Sequence, residues 1–316
     1  MPRIRFTAIG LTTVAALMIG GASSVVPAAA APDALSTYVL PGKDVFPEGV
    51  TVRSGNYYVG STSSGAIYRG DLRRRTAHVF IRGDAGAPEA VGLKATATRL
   101  VVAGGGTGTA SVYSLSGGDR VARFSNGKGG ESNVNDVAIA PNGDAYLTDL
   151  FLSVTYRIPA GSLKRRQADI QQLRVFLDLR GTRFPFLSLN ANGIVVTSDG
   201  KYLLVAQFEA GELYRIRLKD KRVDLVNLHG TKLAGPDGMV LTEANVLYLV
   251  ENRASRIAEI RLDQAYLSGR LTSRTTSRHF QCPTTDAIAG DRLLVVNSQF
   301  CGPGKPPFTV ASIPLP

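Results

Sequence analysis

Apolar residues along this chain gather in short runs that are paired across tight polar turns. Residues 235–251, GPDGMVLTEANVLYLVE, show the unit: an acidic residue between Pro and Gly, an apolar run ending at Leu241, a polar turn at 243–245, and a second apolar run from Val246 to Val250. Short β-rich runs separated by a turn predict a β-hairpin, here with a charged residue at its head. Five further stretches share the shape: FPEGVTVRSGNYYVGS from Phe46, EAVGLKATATRLVVAG from Glu89, NVNDVAIAPNGDAYLTD from Asn133, NANGIVVTSDGKYLLVAQ from Asn190 and CPTTDAIAGDRLLVVN from Cys282.

Aligned, the six hairpins place Glu48, Val91, Asn135, Asn192, Asp237 and Thr284 at one head position, 43 to 57 residues apart. That period is close to that of propeller blades. Each hairpin is followed by two more short strands, such as residues 66–69 and 77–81 in the first unit and 256–262 and 277–280 in the fifth. The sixth unit has only residues 308–314 before the chain ends, so the strand at 36–40, which belongs to no complete unit, is the piece available to finish it. The expected fold is therefore all-β: a six-bladed β-propeller with four-stranded blades, the last closed by the N-terminal strand. The long step between Asn135 and Asn192 is an insertion at 160–173, polar and helix-compatible, on the face opposite the head positions.

In this topology the head positions share one face with the ends of the second strands, Ser61, Gly104, Asp149, Gln207, Glu251 and Asn297. Four heads are Glu, Asn, Asn and Asp, and they are read as a converging site. Such oxygen donors, without thiolate or imidazole, select one divalent cation of the hard kind, Ca²⁺ first with Mg²⁺ or Mn²⁺ as alternatives, and no organic cofactor is implied. His78, His229 and His279 fall in or beside outer strands, away from the axis.

Residues 1–30 have the layout of a cleavable secretory leader, with Arg3 and Arg5, an apolar segment and a small-residue end at Ala28, Ala29 and Ala30. Residues 31–36 follow as a tail, and 31–316 are expected to form one secreted domain. Without the leader the chain carries 34 basic against 25 acidic residues, about +9. The basic clusters Arg73, Arg74 and Arg75 and Lys219, Lys221 and Arg222 fall on the face away from the site: solvated turns, or a weak contact with an anionic cell envelope, with no nucleic-acid partner expected. A monomer is expected. Cys282 and Cys301, the only cysteines, are expected to form a disulfide in an oxidising compartment, pinning the loop at 302–307.

Some short motifs carry nothing. Ser125 to Lys128 reads SNGK but lies in a Gly-rich loop after a strand, without the helix that the penicillin-recognising pattern needs. The glycine run from Gly104 leads into another strand, and no G-x-S-x-G element occurs.

FPEGV at Glu48, VNDVAIAPNGDAYLTD at Asn135, NANGIVVTSDGKYLLVA at Asn192 and GPDGMVL at Asp237 resemble the signature stretches of the senescence-marker-protein/gluconolactonase family, regucalcin-like six-bladed propellers. The resemblance covers essentially all of the chain after the leader. It implies a divalent metal held by Glu48, Asn192 and Asp237, substrate contact by Asn135, Asp237 as catalytic base, and hydrolysis of a lactone. Asn133, Asn135 and Asp136, with Asp149, Gln207 and Asn297, are the expected substrate-side residues. Asn133 stands where sugar lactonases of the family tend to carry Arg, which argues against an acidic sugar lactone. A non-catalytic binding or scaffold propeller, and a strictosidine-synthase-like condensation, are the alternatives on the same fold.

Overall fold

The computed structural model describes residues 36–83 and 86–316. The leader expected at 1–30, and the tail apart from Ser36, lie outside the described residues. Six antiparallel sheets follow one another along the chain. Blade 1 comprises Pro47–Arg53, Asn56–Ser61, Ile67–Asp71 and His78–Ile81, and blade 2 comprises Leu93–Ala95, Arg99–Ala103, Thr109–Ser114 and Arg120–Ser125. Blade 3 has Val134–Ile139, Ala145–Asp149, Val154–Ile158 and Arg174–Asp178, and blade 4 has Ala191–Val196, Tyr202–Gln207, Glu212–Arg217 and Val223–Leu225. Blade 5 has Pro236–Leu241, Val246–Glu251, Arg256–Leu262 and Gly269–Thr275.

Blade 6 joins Pro283–Ala289, Arg292–Asn297 and Phe308–Pro314 to the N-terminal strand Thr37–Leu40, as the sequence predicts. The register runs from Thr37 opposite Ala311 to Leu40 opposite Phe308. The same strand also reaches blade 1: Val39 N–H donates to Arg75 O at 2.8 Å, Ala77 N–H donates to Val39 O at 3.0 Å, and the Tyr38 hydroxyl donates to Leu72 O. The inner strands touch in blade order and the sixth returns to the first, so the ring is closed.

Each gap between neighbouring blades holds its own apolar core, because both faces of a blade are covered and its inner and middle strands are apolar on both sides. Between blades 6 and 1, Tyr38, Leu40, Val50, Val59, Val296 and Phe308 pack together. Between blades 2 and 3 the cluster includes Val112, Phe124, Leu147, Tyr156 and Leu163. The ring is thus held by six separate cores.

Two outer elements differ from expectation. The fourth strand of blade 5 is Gly269–Thr275, and residues 277–280 form the turn that leads inward. Gly269–Thr275 alternates buried or half-buried positions with exposed ones, so an edge strand forms there from a largely polar sequence. The insertion in blade 3 is helical only at Ala160–Lys164, where Leu163 is buried, and Gln171–Gln172 then adds a fifth, parallel strand to the outer edge of blade 2. That strand covers an edge that would otherwise stand open.

Candidate active site at the ring axis

In five blades the inner strand shifts register against its neighbour just after its first residue, between Pro47 and Val50, Val134 and Val137, Ala191 and Ile194, Pro236 and Met239, and Pro283 and Asp286. One extra residue is accommodated there, and such a bulge re-aims the side chains beside it. The bulge also brings inner strands together backbone to backbone. A Cβ on Gly193 would lie 2.0 Å from Asp237 O, and one on Gly49 would lie 2.4 Å from Val91 O, so this close approach requires glycine. Thr284 Oγ1 donates to Glu48 O at 2.7 Å and Thr148 Oγ1 to Asn192 O at 2.6 Å, tying further neighbours at the same level.

All six head residues, Glu48, Val91, Asn135, Asn192, Asp237 and Thr284, line one cavity of about 400 Å³ at the end of the axis. All six are buried. Three of their oxygens, Glu48 Oε2, Asn135 Oδ1 and Asn192 Oδ1, have no hydrogen-bond partner. Asp237 Oδ1 accepts from Gly238 N–H at 2.9 Å.

The acids here hold protons unusually tightly. Burial, then the charges of Asp237 and Asp136, push Glu48 well above the usual carboxylate range. Burial, then the charge of Asp136, does the same for Asp237, which hydrogen bonds from Gly238 and Asn192 oppose. Asp136 is raised by burial, although the charge of Lys94 and the N–H groups of Val137 and Ile194 favour its ionised form. Asp286 is raised well above normal, again by burial, with Lys94 pulling the other way, and neither of its carboxyl oxygens has a partner.

Among the described residues no three His, Cys, Asp or Glu side chains stand together as a metal cluster. The candidate ligand set is mixed, with Glu48 and Asp237 supplying carboxylates and Asn192 an amide oxygen. Buried oxygens without partners beside two carboxyls whose ionisation is suppressed are what a hard divalent cation would satisfy. The residues present fit such an ion.

The substrate-side expectations divide. Asn133 and Asn135 line the cavity, with Asn135 Nδ2 donating to Asn133 Oδ1 at 3.4 Å, while Asp136 is buried and bonded to backbone N–H groups. Asp149, Gln207 and Asn297 do not line it. Asp149 accepts from the N–H groups of Asn133, Phe151 and Leu152, Gln207 donates to Leu189 O, and Asn297 accepts from Gln281 N–H. Ser61, donating to Val45 O, and Glu251, accepting from Ala234 N–H, repeat the arrangement. The end of each such second strand clasps the loop that delivers its own blade's head residue. Gly104 has no side chain to do so, and there Glu89 reaches across instead to accept from Gly106 N–H at 2.8 Å.

Sequence reasoning passed over Asp286, Lys94, Glu89 and Asn252, and the apolar wall of Leu150, Leu189, Phe208 and Phe300. Asp286 was findable, since the other five aligned hairpins carry apolar residues at the equivalent position. Cys282 and Cys301 are joined, with Cα atoms 5.8 Å apart, and Phe300 beside Cys301 stacks on Phe46.

Fold and cavity together define a six-bladed β-propeller with a polar pocket at one end of its axis. No protein-family model matches the chain, and neither does any curated protein. Among solved structures it is similar to the allergen Mala s 1 of Malassezia sympodialis, with a TM-score of 0.65 at 14% identity over 88% of this chain and 96% of that one. It is also similar to regucalcin of Agrobacterium tumefaciens, described as a calcium-binding protein, with a TM-score of 0.60 at 16% identity over 88% and 95%. A luciferin-regenerating enzyme gives a TM-score of 0.61 at 13% identity over 88% and 91%. At these identities the likeness is one of fold, and the regucalcin-like architecture implied by the signature stretches is the one observed.

Proposed function

We propose that this chain is an exported, divalent-metal-dependent hydrolase that opens lactones, with Ca²⁺ the cation its donors suit best. The observation that carries the reading is the set of buried, unpartnered oxygens of Glu48, Asn135 and Asn192 in the same cavity as Asp237. Glu48, Asn192 and Asp237 would hold the ion, which supplies positive charge to polarise an ester carbonyl and to offset the charge that develops on its oxygen. Asp237 takes the proton of the attacking water, a task suited to a carboxyl whose burial raises its affinity for a proton. Asn135, held beside Asn133, orients the substrate through its amide. Export accords with the Cys282–Cys301 disulfide, since such bonds persist in oxidising compartments.

Calcium titration by calorimetry, beside lactone hydrolysis followed by proton release, tests the proposal. Asp237→Ala is expected to lose both metal and turnover, and Glu48→Ala to lose metal. Asn135→Ala keeps the metal while turnover falls about 10²-fold. Metal retained in both Asp237→Ala and Glu48→Ala removes the ligand assignment. Metal bound by a wild-type protein that hydrolyses no lactone makes the ion structural.

A further inference from the structure

The cavity that holds the head residues joins a polar lining, to which Thr62, Asn133 and Asn252 also contribute, to an apolar one. Leu150, Leu189, Phe208, Phe300 and Val91 also line it, and its charged lining residues, Glu48, Glu89 and Asp237, are all acids. No lysine or arginine is among the lining residues. Arg253, whose guanidinium lies 5.0 Å from the Phe208 ring centroid, is not among them either.

The apolar surface continues outward. Nine large apolar side chains are exposed among the described residues, and four of them, Phe151, Phe186, Leu187 and Phe300, stand on loops of the cavity face. Phe151 and Leu187 lie on the same two turns that carry Leu150 and Leu189 into the lining. Asn190 fastens these turns to each other: its N–H donates to Leu150 O at 2.8 Å, and its Nδ2 donates to Leu187 O at 2.8 Å and to Phe151 O at 3.4 Å. Across the mouth, Phe300 is held at the disulfide, its ring 6.2 Å from that of Phe46. Two anchored apolar walls therefore face a polar floor.

We propose that the substrate is an uncharged lactone bearing an apolar acyl or aryl substituent, whose ring meets the Asn and acid floor while the substituent lies between the Leu150–Leu189–Phe208 wall and Phe300. Hydroxyls on the part of a ligand lying between these apolar side chains would sit against leucine and phenylalanine, where they find few partners. With Glu48 and Asp237 offset by the ion they would hold, a carboxylate on the substituent would still face Glu89 and find no lysine or arginine in the lining. An apolar chain gains instead from leaving water with each methylene it buries. The inference rests on the hydrolase reading for the reaction, and on the lining residues alone for the ligand class.

The test measures kcat/KM on calcium-loaded protein for γ-decalactone, γ-butyrolactone and glucaro-1,4-lactone, which carries a carboxylate. In parallel, binding of the uncharged fluorophore N-phenyl-1-naphthylamine, and its displacement by γ-decalactone, is measured without reference to turnover. We expect at least a tenfold preference for γ-decalactone, with its hexyl substituent, over unsubstituted γ-butyrolactone, expressed mainly in KM, no turnover of the glucarate lactone, and a dye displaced by γ-decalactone. Phe300→Ser and Leu189→Ser, both at side chains outside the blade cores, are expected to bring the preference down toward unity and weaken the dye, with the melting temperature as the check on folding. Dye binding and displacement with no hydrolysis of any lactone keeps the ligand class and overturns only the reaction. Hydrolysis that favours the glucarate lactone or ignores chain length, or a dye not displaced by γ-decalactone, overturns the inference.

Discussion

Asp286 occupies a position that in the other five inner strands is Val50, Leu93, Val137, Ile194 or Met239. Its carboxyl is fully buried, both oxygens lack partners, and its affinity for a proton is well above normal. A carboxyl raised in the folded state leaves stability intact below its unfolded value near 3.8 and lowers it as pH climbs through the folded value. Asp286→Asn is therefore expected to raise stability at pH 8 by about 1–3 kcal/mol and to have little effect at pH 3.5, as read by urea unfolding at the two values. An equal effect at both would mean that the carboxyl is not the source. The residue was legible as an oddity in the aligned hairpins. Its surroundings were not, because Lys94 and Asp136 reach it from other blades, and no local spacing encodes that meeting.

At the scale of the element, the bulged inner strand and the clasp behind it form one device. The bulge aims the head residue and the end of the second strand fixes the loop that precedes it. Asp149, which accepts from three backbone N–H groups as well as from Ser132 Oγ and Tyr156 Oη, is the most heavily used clasp. Asp149→Ala strands several buried donors, and about 3 kcal/mol of lost stability in chemical denaturation is the expected result. A change within 0.5 kcal/mol would show that the clasp contributes nothing. Position in the hairpin placed these residues on the right face, but whether a buried polar side chain turns toward a ligand or back toward its own loop is settled by backbone geometry that the alternation of residues does not carry. The outer strand Gly269–Thr275 was obscured for a related reason: at an edge, burial is slight and the sequence stays polar.

For the whole molecule, the repeat spacing made the ring legible, and the missing strand of the last unit made its closure legible. Tyr38 and Leu40 are buried in the core shared by blades 6 and 1. Removing residues 37–40 deletes both, exposes Phe308–Pro314, and is expected to lower the melting temperature by roughly 10 °C. An unchanged melting curve would show that the closure contributes nothing. Opening the disulfide with Cys282→Ala and Cys301→Ala together frees a 19-residue separation and is expected to cost about 3 kcal/mol in thermal unfolding.

The pairing of Thr37 with Ala311 also fixes an order of events. Thr37–Leu40 finds its place only against Phe308–Pro314, and blades 1 to 5 lie between them in the chain. Blades 1 to 5 can assemble from local hairpins as they appear, but the join is a contact of very long sequence separation, and such contacts form late. Until then blade 6 offers a bare outer edge at Phe308–Pro314. Because Glu48 and Thr284 meet across the seam between blades 1 and 6, the outer closure and the cavity share that seam, and a cut that removes Phe308–Pro314 is expected to loosen both.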